Sequence, residues 1–165
     1  MNELNGHDIE DLHPGMHATF SKTITEADIV LFAGVSGDNN AVHVNEEFAA
    51  TTPFGGRIAH GFLTASVISA AVANRLPGPG TVYLSQQMKF RAPVRPGDTV
   101  HATVTVTAVD EARARATLAT VCRVRETVVI EGEALVMTTS RARRERAAAQ
   151  AAQVSTTPIV EGVAA

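Results

Sequence analysis

Residues 37–47, GDNNAVHVNEE, hold a carboxylate, Asp38, and an imidazole, His43, five positions apart in a polar stretch between two apolar segments. An acid and an imidazole that reach the same water can take up and return a proton near neutral pH. The spacing alone does not bring them together. Five residues separate side chains by about 140° around a helix and send them to opposite faces of a strand. The stretch also reads simply as a solvated loop in which Asp38 makes an Asx-turn. Gly37, Asn39 and Asn40 tolerate sharp backbone turns, so a loop bent there can point both side chains at one spot.

A second candidate lies close by. Residues 55–61, GGRIAHG, lead into the apolar segment GFLTASVISAAVANRL, 61–76, and place His60 and Gly61 at or near a helix start. Helix N-termini carry unpaired N–H groups and the positive end of the dipole, suited to an anion or a polarised carbonyl. The Gly61 N–H is therefore a candidate oxyanion donor. For the His60 side chain, a role in merely starting the helix and a functional role both stand.

These residues need a scaffold. Met16–Thr23 is expected as an edge strand. TEAD then opens a helix in which Thr25 and Asp28 have capping-box spacing, and Asn45 can cap a short second helix. Segment 61–76 has no clean polar face, which predicts a helix buried on most sides. Residues 81–91 suit one long strand. In 100–109, Val100, Ala102, Val104, Val106 and Ala108 alternate with polar residues, as in a half-buried strand. Runs 112–125 and 127–137 follow across short connections and complete an antiparallel meander. The fold class expected is α+β, one long helix against a sheet. The organisation expected is a flexible N-terminus over 1–15, a domain over 16–140, and a helical extension with a disordered tail over 141–165.

Composition narrows the functions. The chain has 165 residues, a formal net charge of −3 and one cysteine, Cys122. It predicts no attraction to nucleic acid or anionic membrane, no intrachain disulfide and no cysteine-based metal site. His13 and His17 are i, i+4, but they flank a Pro-Gly pair in an extended stretch, so no metal site is expected there. Cys122 reads as a small core hydrophobe. No signal-like leader or membrane-length apolar run is recognised, and a cytoplasmic setting is the default.

Three segments together carry a family resemblance: TITEADIVLFAGVSGDNNAVH, FAATTPFGGRIAHGFLTAS and MKFRAPVRPGDTV. Over roughly residues 16–138 the chain resembles the MaoC-like, (R)-specific enoyl-CoA hydratases, or hydratase 2, which adopt the hot dog fold. Asp38, Asn40 and His43 match the family's Asp-x-Asn-Pro-x-His motif, and Ala41 stands where the family usually has proline. The departure removes a fixed φ from the loop and leaves the acid–imidazole pair intact.

The resemblance implies hydration of a trans-2-enoyl-CoA, such as crotonyl-CoA, to the (R)-3-hydroxyacyl-CoA. Asp38 and His43 would hold the water, Asn40 the loop, and the Gly61 N–H the thioester oxygen. Ser69 and Val72 would line an acyl pocket for short to medium chains. No metal or redox cofactor is implied; coenzyme A enters with the substrate. Its phosphates want a basic patch, for which Lys89 and Arg91 are the candidates. Hot dog proteins form dimers, so a homodimer is expected. The alternatives are a hot dog acyl-CoA thioesterase and a non-catalytic acyl-thioester binder. Helix 61–76 lacks the Asp or Glu that hot dog thioesterases commonly place there, and retention of Asp38 with His43 argues against a mere binder.

Overall fold

The computed structural model describes the backbone of residues 6–155 and the side chains of 6–150. Five strands form one antiparallel sheet: β1 (His17–Thr23), β2 (Val82–Phe90), β3 (Thr99–Asp110), β4 (Arg115–Val124) and β5 (Thr127–Met137). Their spatial order is β1-β3-β4-β5-β2, so β3, β4 and β5 are the expected meander and β1 and β2 are its two edges.

The period-2 pattern decides which face is covered. Val100, Ala102, Val104 and Val106 of β3 are all buried, and so are Ala116, Leu118 and Cys122 of β4. Each fully buried valine or leucine contributes roughly 1.5–3 kcal/mol of apolar burial. Burial also drives the Cys122 thiol up to about 12, so this group is a core hydrophobe rather than a thiolate.

Helix α4 (Gly61–Asn74) lies across β3, β1 and β4 and inserts Leu63, Val67, Ile68, Ala71 and Val72 into that core. It is less enclosed than its composition predicts. Phe62, Ser66, Ser69 and Ala73 form an exposed stripe at helical spacing. A single sheet covers only one side of a helix, and the opposite side stays open.

The other helices are α1 (Glu26–Ser36), α2 (Ala41–Val44), α3 (Glu46–Ala50) and α5 (Arg141–Ser155). The capping box of α1 forms as its spacing requires: Thr25 accepts from the Asp28 N–H, and Asp28 accepts from that of Thr25. Asn45 caps α3 through the Phe48 N–H.

Residues 6–15, within the segment expected to be flexible, make specific contacts with the rest of the chain. Ile9 and Leu12 are buried in a short 3-10 turn. Asp8 makes a bidentate pair with Arg144 at 2.6 and 2.7 Å, and Glu10 accepts from the Ser140 hydroxyl at 2.6 Å. The physical reason is the start of α5, where Arg141, Arg143 and Arg144 crowd a helix N-terminus that favours negative charge. Acids from the N-terminal segment supply that charge. Residues 1–5 and 156–165, the latter expected as a tail, lie outside the described residues.

Candidate active site

Asp38 and His43 meet because the chain between them is neither helix nor strand throughout. Gly37 ends α1 in the left-handed region at φ 76°, a conformation glycine adopts without steric cost. Asp38 and Asn39 then cross a short irregular stretch, and Asn40 caps α2 by accepting from the Val42 N–H at 3.3 Å. That single turn rotates His43 back toward Asp38. His43 Nε2 stands 3.9 Å from Asp38 Oδ2.

The loop reading and the pair reading of Asp38 are both realised, on different oxygens. Oδ1 accepts from the Asn40 N–H at 3.2 Å, as in an Asx-turn, and Oδ2 faces the imidazole. The Asp38 side chain is half exposed, while His43 is buried. Ala41 occupies the first helical position of α2, and its N–H has no intrahelical partner there.

The protonation pattern of His43 follows from its surroundings. Its Nδ1 lies 2.8 Å from the Ile58 carbonyl, which can only accept, so Nδ1 carries the proton and donates. In the neutral ring, Nε2 then presents a lone pair toward Asp38. Two acceptors cannot bond each other, and across 3.9 Å one water can donate a hydrogen to each. A water so held has its own lone pairs turned away from both groups.

The segment carrying that carbonyl is pinned on several sides. Arg57 donates to both carboxylate oxygens of Glu26 at 2.7 and 2.9 Å and to Glu46 at 2.9 Å, tying α1 and α3 to it. These carboxylates hold the Arg57 guanidinium pKa above its ordinary value, Glu26 contributing most. The Ile58 N–H donates to Val42 and the Ala59 N–H to Val94. Arg57 was not singled out from sequence. Its partners are 11 and 31 residues away, beyond any local pattern.

Helix α4 begins beside the pair without a side-chain cap. The N–H of Gly61, at its first position, has no intrahelical acceptor. Gly61 and His43 line one cleft of about 310 Å³, together with Thr64, Phe90, Arg91 and Val94 among others. A Cβ on Gly61 would come 2.8 Å from the Phe90 ring, so glycine at this position lets that aromatic lie against the helix start.

The remaining sequence candidates separate. Arg91 lines the cleft but is ion-paired with Glu131. Lys89 instead borders a different groove with Glu131 and Glu133. Ser69 borders a third groove, between α4 and β2, and Val72 is buried in the core; neither lines the cleft that holds His43. Among the described residues, Asp38, His43 and His60 bring ligand-type atoms within 4.8 Å of one another, a grouping that could also hold a cation. Each of the two imidazoles already uses one nitrogen on a backbone carbonyl.

Residues 11–129 match the family model described as the MaoC like domain. The chain is 55% identical over 135 residues to an (R)-specific enoyl-CoA hydratase of Rhodospirillum rubrum, covering 82% of this chain and 94% of that one. It is 53% identical over 127 residues to a 3-hydroxybutyryl-CoA dehydratase of Methylorubrum extorquens, covering 77% and 81%. Among solved structures, the unliganded R-hydratase of Pseudomonas aeruginosa superposes with a TM-score of 0.79 at 40% identity, covering 84% of this chain and 89% of that one.

Proposed function

The chain belongs to the MaoC-like domain family, and we propose that it is a hydro-lyase, an (R)-specific enoyl-CoA hydratase acting reversibly on trans-2-enoyl-CoA. The observation that carries the reading is that His43, 3.9 Å from Asp38, shares one cleft with the uncapped start of α4.

Hydration needs oxygen at C3, a proton at C2 and relief of the negative charge that develops on the thioester oxygen. The water held between Asp38 Oδ2 and His43 Nε2 adds to C3 as Asp38 takes its proton. The pair returns one proton to C2, so that H and OH are added across the double bond and the enzyme ends unchanged. The Gly61 N–H donates to the thioester oxygen as charge accumulates there; one well-placed donor is worth about 3 kcal/mol. The positive end of α4 adds to the same effect. This sequence of steps requires no metal or redox cofactor.

A short to medium acyl chain fits the modest cleft; Ser69 and Val72, which lie outside it, have no direct contact with a chain placed there. Arg91 at the cleft is the better placed of the two basic candidates for CoA phosphates, provided it can leave Glu131. An acyl-CoA substrate and a lone buried cysteine suit a cytoplasmic setting. No helix among the described residues is long and apolar enough to cross a membrane.

A homodimer is part of the same reading. Strand β2 is a sheet edge exposing Val82, Leu84 and Phe90, and Phe62 of α4 is exposed against Phe90. An apolar open edge of this kind invites pairing, and a second copy would cover both the edge and the bare stripe of α4. Light scattering on a sizing column checks it: twice the chain mass is expected.

The activity test mixes purified protein with crotonyl-CoA and follows loss of the conjugated enone absorbance, then couples the product to an R- or S-specific 3-hydroxyacyl-CoA dehydrogenase. Rapid loss with coupling only to the R-specific enzyme is expected. Thiol release without hydration would instead indicate the thioesterase, and binding without either reaction a non-catalytic protein.

A further inference from the structure

His60 precedes the oxyanion candidate and has no part in the steps above, yet it is almost wholly buried, at 1% exposure. Its surroundings fix its chemistry. Nε2 lies 2.9 Å from the backbone carbonyl of Asp38, which can only accept, so Nε2 bears the proton. Nδ1 is buried with no hydrogen-bond partner. A proton there would leave an unpaired buried donor, so the arrangement favours the neutral Nε2–H tautomer. The ring stacks on that of His43 with centroids 3.9 Å apart and planes 32° apart, and Phe32 packs 5.0 Å away.

The two stacked imidazoles are thus held in opposite tautomers by two backbone carbonyls. Ile58 fixes the proton of His43 on Nδ1, and Asp38 fixes that of His60 on Nε2. The His60 side chain touches both halves of the pair, the backbone of Asp38 through a hydrogen bond and the ring of His43 through its face. We infer that His60 is a positioning residue, which sets the Asp38 loop and the His43 ring so that Oδ2 and Nε2 face one water. It does not touch the reacting atoms itself. The inference rests on the hydratase reading for its kinetic consequence, but its geometric content stands apart from that reading.

Two substitutions separate the hydrogen bond from the ring. His60→Phe keeps an aromatic against His43 and loses the donor to Asp38. His60→Gln places an amide N–H near the position of Nε2 and loses the ring. Displacing a reacting group by about 1 Å can cost on the order of a hundredfold. On that scale His60→Phe is expected to lower kcat on crotonyl-CoA about tenfold or more with little change in KM, and His60→Gln to recover part of that loss. A wild-type kcat in His60→Phe overturns the inference, as does a His60→Gln that is no better than His60→Phe. If His60→Phe does not fold, the His60→Gln kcat decides: a value near zero overturns the inference.

A second readout needs no turnover. Nitrogen-15 spectra of the imidazoles in the wild-type protein are expected to show His60 as Nε2–H and His43 as Nδ1–H. In His60→Gln, which removes the stacked ring, the His43 ring signals should shift while Nδ1 keeps its proton on the Ile58 carbonyl. The same tautomer for both rings, or a His43 spectrum unmoved by His60→Gln, overturns the inference even if the wild-type protein hydrates nothing. Failure of the hydratase reading alone would leave these spectra as expected.

Discussion

Helices α4 and α5 begin in opposite ways. The start of α5 is closed by the protein itself: Glu10 accepts from the N–H groups of Arg141 and Ala142, and the Ser140 hydroxyl from that of Arg143. The start of α4 has no such partner, although α1, α2 and α3 are capped by Thr25, Asn40 and Asn45. A carboxylate at a helix N-terminus stabilises by roughly 0.3–1 kcal/mol, so leaving α4 open forgoes stability. The open end faces the cleft that holds His43, and the closed end is held against the N-terminal segment. The contrast separates a helix start used for structure from one left available to an incoming oxygen.

The largest effect should come from the pair beside the open end. His43→Asn keeps a donor toward the Ile58 carbonyl and removes the Nε2 lone pair. It is expected to lower kcat/KM for crotonyl-CoA by about 10²–10⁴-fold while the fold is retained by circular dichroism. A smaller loss is expected at the open end itself. Gly61→Ala drives a Cβ against Phe90, which is half exposed and can swing aside. The displaced ring and crowded N–H should lower kcat/KM about tenfold to a hundredfold. An unchanged rate would mean that the start of α4 is not used as an oxygen site.

The closed end should respond to acid and leave the chemistry alone. Arg144 lowers the pKa of Asp8 from 3.8 to about 2, and the hydrogen bond from Ser140 is the main cause lowering that of Glu10 from 4.5 to about 2. A carboxylate depressed on folding contributes stability that is whole above its unfolded pKa and lost as pH falls through the folded one. The clasp should therefore loosen between about pH 4.5 and pH 2, seen as trypsin-type cleavage sites at Arg141 and Arg144 opening to an acid-tolerant protease. Glu10→Gln should weaken the same contact at neutral pH by about 1 kcal/mol, read as a lowered Tm with unaltered crotonyl-CoA turnover.

How much of this could be read from the chain depends on the distance over which each contact acts. The strands followed from alternation, and the caps of α1 and α3 from residues three apart. The Asp38–His43 pair was visible as residue types, and the turn of α2 that unites them was not, because four residues carry too little periodicity to register. The fixings of the site were also hidden: His60 reaches Asp38 across 22 residues and His43 reaches Ile58 across 15. The N-terminal segment looked flexible because its partners lie 130 to 136 residues away.

The smallest expected effect concerns Ala41. Proline is favoured at the first position of a helix, and Asn40 before it already has φ −56° and ψ 129°, a conformation that a following proline prefers. Ala41→Pro should raise stability by about 0.4–1 kcal/mol and leave kcat within about twofold. A fall in Tm would show that the loop around α2 is strained in a way its backbone does not indicate.

The most direct measurement is turnover of crotonyl-CoA by Asp38→Asn. Asparagine can still accept from the Asn40 N–H, so the loop should hold, while the charge facing His43 is removed. The account predicts an unchanged Tm and a kcat lower by about 10²–10⁴-fold. A kcat close to wild type would contradict it, because Asp38 would then serve the loop alone.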